Sequence, residues 1–290
     1  MNGSSPKPRG RGPDGAPVLA SRTAATSAGS IELTVVLPAY NEEAVIASSV
    51  ERVDSFLRAR GRSYEIVLGD DGSGDATIAN ALAVGCDALR VVTRPHAGKG
   101  AILSASLSAG RGEYIGFIDA DLEIDIAYLT EFLELLDRDA DVVIARKTDP
   151  SPAGRQRPLK RRILTFFYNL AARSLFGTPY RDHQAGMKFF RRTLMDRILP
   201  SMVSTGWIWD TEVLVRIRRA GAVVREVPID VLEVPGRIPK VSSFSTSLAM
   251  SRELLVLWLK LGRQRKAPHT VEHPASEAAV PPSCDPVDSR

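Results

Sequence analysis

From residue 31 to about residue 145 the chain alternates short, β-branched apolar runs with longer stretches whose apolar residues recur at helical spacing. Residues 33–37 read as a buried strand stopped by Pro38, and residues 42–60 as a helix with Val45, Ile46, Val50, Val53 and Leu57 on one face. Further strands are expected at 64–68, 89–92, 114–118 and 142–145. Helices fill the gaps, one running through Ala83, one opening at Gly98-Lys99-Gly100 and one ending near Leu136. This rhythm is that of βαβ units, so the expected fold is α/β with a mostly parallel central sheet flanked by helices. Beyond Arg146 the alternation lapses and arginine and aromatic residues become more frequent.

With 290 residues and 44% hydrophobic composition, one sizeable core can form, and two large domains would not fit. The expected organisation is a tail over 1–30, a single domain over 31–240, an amphipathic helix over 241–265 and a second tail over 266–290. The first 30 residues mix Gly, Pro, Ser and Ala with Lys7, Arg9, Arg11 and Arg22, without the apolar stretch of a secretion signal. No run approaches the roughly 20 apolar residues that cross a bilayer. Cys86 and Cys284 sit far apart in a chain with no apparent secretion signal, so neither a disulfide framework nor a cysteine metal site is expected, and the expected compartment is the reducing cytoplasm. The net charge of +4 permits an anionic partner without naming one.

Candidate chemistry gathers where the strands end. Tyr40, Asp70, Asp71, Asp119 and Asp121 all fall near the carboxyl ends of expected strands, the edge at which open α/β sheets bind ligands. Asp119-Ala120-Asp121 places two carboxylates on a tight turn, able to reach one Mg²⁺ or Mn²⁺ together with substrate phosphates. The competing reading makes these aspartates helix caps. Gly98-Lys99-Gly100 lacks the spacing of a phosphate-binding P-loop. His96, His183, His269 and His273 do not have zinc-ligand spacing, and G-x-S-x-G is absent, which argues against a serine hydrolase.

Residues 35–43 (VVLPAYNEE), Asp70-Asp71-Gly72-Ser73, Gly98-Lys99-Gly100 and Asp119-Ala120-Asp121 together resemble the ordered signatures of family 2 glycosyltransferases with the GT-A nucleotide-sugar-binding fold. The resemblance implies that Pro38, Tyr40, Glu42 and Asp71 line the pocket for the nucleotide base and ribose, with Lys99 beside them. It also implies that Asp119 and Asp121, with Glu123 as a further ligand, hold the metal on the donor diphosphate, Asp121 being the catalytic member. The second half, Arg181-Asp182-His183-Gln184-Ala185-Gly186-Met187-Lys188, then Gly206-Trp207-Ile208-Trp209-Asp210, Glu226-Val227-Pro228 and Val234-Pro235-Gly236, is similar to polyprenyl- and dolichyl-phosphate hexosyltransferases, the glucosyl branch in particular. That similarity implies an inverting transfer of a hexose, glucose from UDP-glucose, onto a polyprenyl phosphate. Asp182 and Gln184 would shape the sugar and acceptor site, and Arg146 and Arg161 would hold the acceptor phosphate. Asp210 stands where hydroxyl-glycosylating relatives carry a general base, and equally where an aspartate would cap the next helix. The alternative acceptor is therefore a hydroxyl, activated by Asp210.

The charge distribution agrees with a phosphate-bearing lipid. Arg146, Lys147, Arg155, Arg157, Lys160, Arg161, Arg162 and Arg173 face only Asp149 across residues 146–173. This basic stretch runs into Ile163, Leu164, Phe166, Phe167, Tyr168 and Leu170, and a second apolar run, 254–259, is flanked by Arg252, Lys260 and Arg263. Both suit peripheral attachment to the cytoplasmic face of a membrane rather than crossing it. The basic cluster is expected to be interleaved with aliphatic rather than exposed, stacking aromatic residues, which argues against nucleic acid as a partner.

Overall fold

The computed structural model describes residues 18–21, 30–148, 159–230 and 244–264. Its centre is one eight-stranded sheet of β1 (Val18–Ser21), β2 (Leu33–Ala39), β3 (Tyr64–Asp70), β4 (Leu89–Thr93), β5 (Tyr114–Ile118), β6 (Val142–Lys147), β7 (Met187–Arg191) and β8 (Val224–Ile229). The spatial order is β1-β4-β3-β2-β5-β7-β6-β8. β4, β3, β2 and β5 are parallel neighbours, and β6 and β8 form another parallel pair. β7 runs antiparallel between β5 and β6, and β1 is antiparallel on the edge of β4.

This order positions the site. Because β7 alone among the inner strands runs backwards, its amino end joins the carboxyl ends of β2, β3, β5 and β6 at one edge of the sheet. The segment just before β7, residues 180–186, is thereby inserted between the turn after β5 and the end of β6. The helices are α1 (Ile46–Arg58), α2 (Thr77–Ala83), α3 (Lys99–Ala109), α4 (Leu129–Arg138), α5 (Leu159–Phe176), α6 (Arg192–Ile198), α7 (Trp209–Arg219) and α8 (Phe244–Gln264). One core layer sets Val35, Leu37, Ile66 and Leu68 against α1 and α4, and the opposite layer sets Val36, Val67, Ile115 and Phe117 against α3, α6 and α7. This is the period-2 alternation of strands covered on both faces. α5 and α8 pack on each other and on Ile208 and Val215 around a third, smaller cluster. Among the described residues no helix is long and apolar enough to cross a membrane.

Three local expectations are corrected. β2 does not stop at Pro38 but continues to Ala39, paired with Asp70. Pro38 lies past the last pairing of β2 with β5, at Val36, so the missing N–H falls where the strand has a neighbour on one side only. The first helix begins at Ile46 rather than residue 42, because Glu42 and Glu43 donate their backbone N–H groups to Thr77 and Asp75 across the loop. Within the stretch expected to be a tail, Val18–Ser21 pairs with β4, whose outer edge offers free backbone groups to a short apolar run.

Candidate active site

The turn after β5 is held largely by its backbone, with Asp121 Oδ1 also accepting from the Glu123 N–H at 3.3 Å. Asp119 N–H donates to Gly186 O at 2.8 Å, Leu122 N–H to Asp119 O at 2.9 Å, and Ser49 Oγ to Ala120 O at 2.6 Å. Buried Leu122 accepts φ of 48°, a left-handed geometry that costs an apolar residue about 1 kcal/mol or more and that this web of contacts over-determines. Helix capping is not the role of Asp119 or Asp121, since Asp125 caps the following turn by accepting from Ala127 N–H. A Cβ on Gly186 would collide with Asp119 Oδ2, so only glycine lets the antiparallel strand enter this close to the carboxylate.

Asp119, Asp121 and Glu123 line a small cavity of about 10 Å³ with Ile118, Ile124, Gly186 and Lys147. Among the described residues no three acidic, histidine or cysteine side chains converge to hold a metal by themselves. The donors are all hard carboxylate oxygens in an open arrangement, which fits Mg²⁺ or Mn²⁺ completed by phosphate oxygens rather than a closed protein cage.

Behind the turn a row of alternating charge runs inward from the partly exposed Asp119 to the buried Asp210 and Lys188. Lys99 Nζ donates to Asp119 Oδ1 at 2.7 Å and lies 3.8 Å from Asp210 Oδ2, while Lys188 Nζ donates to Asp210 Oδ1 at 2.5 Å and to Ala185 O at 2.6 Å. Both ammonium groups sit 5.3 Å from the centre of the Phe117 ring, and Lys99 is 5.5 Å from that of Trp207. Burial works against the charge on Lys99, but Asp119 and Asp210 outweigh it and hold its pKa above the ordinary lysine value. For Lys188 burial prevails over Asp210 and lowers the pKa. Asp210 is not the cap of α7, which starts after Ile208 without a side-chain cap; it lies in the first turn, completely enclosed.

Lys99 reaches this row because Gly98 and Gly100 let the start of α3 press on the loop before α7. A Cβ on Gly98, whose φ is 106°, would stand 2.6 Å from Thr205 O, and one on Gly100 would stand 2.5 Å from Trp209 Cβ.

On the other side of the turn, Tyr40 stacks on His96 with ring centres 4.2 Å apart. His96 Nδ1 lies 2.8 Å from Asp71 Oδ2, and Asp71 also accepts from the N–H groups of Ala97 and Gly98 at 2.9 and 2.8 Å. Asp70 accepts from Gly72 N–H and Ser73 N–H in its own turn and from the Thr93 hydroxyl at the end of β4, a structural role. Pro38 is one of the last two residues of β2, and Glu42 lies in the loop that follows it, where the Glu42 N–H donates to Thr77 Oγ1 at 2.8 Å. Pro38, Tyr40, Glu42, Asp71, Lys99, Asp119 and Asp121 therefore share the carboxyl edge of β2, β3 and β5.

A second cavity, of about 380 Å³, opens beside the first between the end of β6 and α5, and Lys147 lines both. Its other walls include Arg146, Arg162, Arg173, Arg181, Asn169 and Asp182. Five cations thus surround one carboxylate, and Asp182 is already engaged by the backbone N–H groups of Lys147 and Gln184. Among the described residues the side chains of Arg146, Lys147, Arg173 and Arg181 make no ion pair with a carboxylate. Gln184 does not face this cavity. Its amide nitrogen lies 3.1 Å from the Tyr168 hydroxyl, 3.3 Å from Trp207 O and 3.4 Å from the Thr211 hydroxyl, so its two N–H groups serve a cluster that ties α5 to α7. Arg161 lies on α5, but its side chain is outside the described residues, as is 234–236.

Lys188, His96 and Asn169 were not singled out by sequence motifs. Lys188 did leave a signal, a lysine inside the apolar run Met187–Phe190, where a fully buried cation demands an acid partner. His96 and Asn169 left none.

An open sheet with acidic turns at the ends of β3 and β5, and a reversed strand delivering a second loop to the same edge, defines a glycosyltransferase of the GT-A type. The sequence profile of Glycosyl transferase family 2 matches residues 34–199, and the chain belongs to that family. It is 34% identical over 248 residues to the glycosyltransferase AglD of Haloferax volcanii, an alignment covering 83% of this chain but 39% of AglD. It is 28% identical to the dolichyl-phosphate beta-glucosyltransferase of Drosophila melanogaster, covering 80% of this chain and 76% of that one. Among solved structures it is similar to glucosyl-3-phosphoglycerate synthase from Mycobacterium tuberculosis in complex with Mn²⁺, UDP-glucose and phosphoglyceric acid. The TM-score is 0.56 at 26% identity, covering 79% of each chain.

Proposed function

We propose that this enzyme transfers glucose from UDP-glucose to the phosphate of a polyprenyl lipid, inverting the anomeric carbon, at the cytoplasmic surface of a membrane. The observation that carries the reading is the cation-rich cavity beside the Asp119–Asp121 turn, bordered by an apolar face of α5 on which Phe166 is 62% and Phe167 60% exposed. Arginine forks suit a phosphate, and the adjoining apolar face suits a hydrocarbon chain. The named activity of the dolichyl-phosphate relatives points the same way.

In this reading Pro38, Tyr40, Glu42 and Asp71 hold the nucleoside, and Lys99 balances the diphosphate. Asp119, Asp121 and Glu123 would hold Mg²⁺ or Mn²⁺, which when bound supplies charge stabilisation to the departing diphosphate. Arg146, Arg161 and Arg173 aim the acceptor phosphate, and Asp182 orders the loop between the two cavities by accepting from Lys147 and Gln184. One phosphate oxygen forms the new bond to the anomeric carbon as the bond to the diphosphate breaks, the electron pair leaving with the diphosphate. The acceptor is already anionic near neutral pH, so no general base is required. Lysines against both oxygens of Asp210 support an orienting role for it.

The hydroxyl-acceptor alternative retains one specific support: the similar synthase structure is a complex with phosphoglyceric acid, a small molecule that carries a free hydroxyl. Transfer of labelled sugar from UDP-glucose, with GDP-mannose in parallel, into organic-extractable lipid distinguishes the two. Metal-dependent labelling that disappears in Asp121→Ala is expected. Donor binding without lipid labelling would move the assignment to a hydroxyl acceptor.

A further inference from the structure

The mouth of the larger cavity carries arginine and lysine, but its floor carries a neutral group. Thr165, Asn169 and Arg173 follow one another at intervals of four along α5, and all three line the cavity. Asn169 is only 7% exposed. Its Oδ1 accepts from the backbone N–H of His183 at 3.0 Å and lies 2.9 Å from His183 Nδ1. A backbone nitrogen can only donate, so the acceptor end of the amide is settled, and the ring nitrogen beside the same oxygen must carry the proton. His183 Nε2 is then the acceptor for the Thr178 hydroxyl at 2.8 Å. Every polar atom of the pair is placed except Asn169 Nδ2, for which no protein partner is found among the described residues.

We infer that Asn169 is a further ligand of the acceptor, donating an N–H of its side-chain amide to an oxygen of a phosphate monoester bound in the cavity, with His183 as the positioning residue that points it there. The inference rests on the acceptor reading of this cavity. A bound phosphate would meet cations at the rim and, deeper in, a donor whose direction does not depend on a flexible side chain. Fixed neutral donors add geometric selection to charge that is otherwise non-directional.

The test is titration of the full-length protein, with UDP and Mn²⁺ present, with a short-chain prenyl monophosphate and in parallel with 3-phosphoglycerate. Five variants are compared with the unmodified chain, two at Asn169, two at His183 and one at Arg173. Asn169→Asp keeps the shape and the acceptor for His183 but replaces the donor by an oxygen, and Asn169→Leu removes the donor without adding charge. Each is expected to weaken phosphate-monoester binding roughly tenfold or more, the scale of a hydrogen bond to a charged group, with UDP affinity unchanged. His183→Asn, which retains a donor near the Nδ1 position, should remain closer to the unmodified affinity than His183→Leu. The prenyl compound binding more tightly than 3-phosphoglycerate would support a lipid source, and the reverse a soluble one, with the role of Asn169 supported in either case. A folded Asn169→Leu within twofold of the unmodified affinity would overturn the assignment. If that variant does not fold, Asn169→Asp within twofold does so. Arg173→Gln serves as the reference for the cavity itself: binding that neither it nor the Asn169 variants weaken would remove the acceptor reading rather than the role of Asn169 alone.

Discussion

Asp210 shows how burial converts a residue that sequence leaves ambiguous into one with a definite task. Removing its partner with Lys188→Met leaves a carboxylate fully enclosed with only Lys99 nearby, and should lower stability by about 3–5 kcal/mol in urea unfolding. Lys188→Met combined with Asp210→Leu should regain most of that loss, because the apolar pair carries no desolvation penalty. Activity is expected to stay low in the double variant, since Lys99 then loses Asp210 as a partner. His183 supplies a pH signature. Burial pushes its pKa down to about 4 from the ordinary 6.5, against the opposing charge of Asp182 and helped by the cations Lys188 and Arg173. Between these values the unfolded chain binds a proton that the folded chain refuses. The associated stability is fully present above pH 6.5 and is lost as pH falls toward 4, by roughly 3 kcal/mol in all. Thermal unfolding followed from pH 7 to pH 4 should show this slope, and His183→Asn should flatten it.

At the level of elements, the site depends on two close approaches that glycine permits. The amino end of α3 presses on the loop before α7 through Gly98 and Gly100, and β7 slides beside the Asp119 turn through Gly186. In Gly100→Ala the new methyl would meet Trp209 Cβ at 2.5 Å and Gly206 O at 2.8 Å, with no flexible chain end to yield. About 1–3 kcal/mol of destabilisation is expected from overpacking. Because α3 must shift, Lys99 would move off Asp119, and UDP affinity measured by calorimetry should fall more than Gly74→Ala makes it fall, where the added methyl meets open space. The beginnings and middles of the parallel strands were legible because each is an apolar run bounded by turn residues, and the expected span of β5 matches residue for residue. The carboxyl ends of β2, β3 and β6 were not: each runs two residues further than its apolar run, since backbone pairing to a neighbour continues through Pro38, Asp70 and Lys147, residues that break the apolar pattern.

For the whole molecule, α5 and α8 form a two-helix unit whose inner side is closed by Ala172, Leu254, Leu257 and Leu261. Its outer side presents Ile163, Phe166, Phe167 and Leu170 on one helix and Leu255, Val256, Trp258 and Leu259 on the other. If this face meets a membrane, as the proposed lipid acceptor requires, Phe166→Glu and Trp258→Glu together should abolish sedimentation with anionic vesicles, while UDP affinity stays within twofold. Retained vesicle binding would exclude this face as the contact. The chain by itself determined the βαβ order, the family and the acidic turns, because strand and helix periods and contiguous motifs are local properties of sequence. Tertiary structure alone decided that β7 reverses between β5 and β6, that Lys188 pairs with Asp210 from 22 residues away, that His96 stacks on Tyr40 and that Gln184 braces two helices instead of facing a cavity. Those pairings join segments distant in the chain, and their partners are selected by burial and desolvation in the assembled fold, quantities that no local pattern of residues carries.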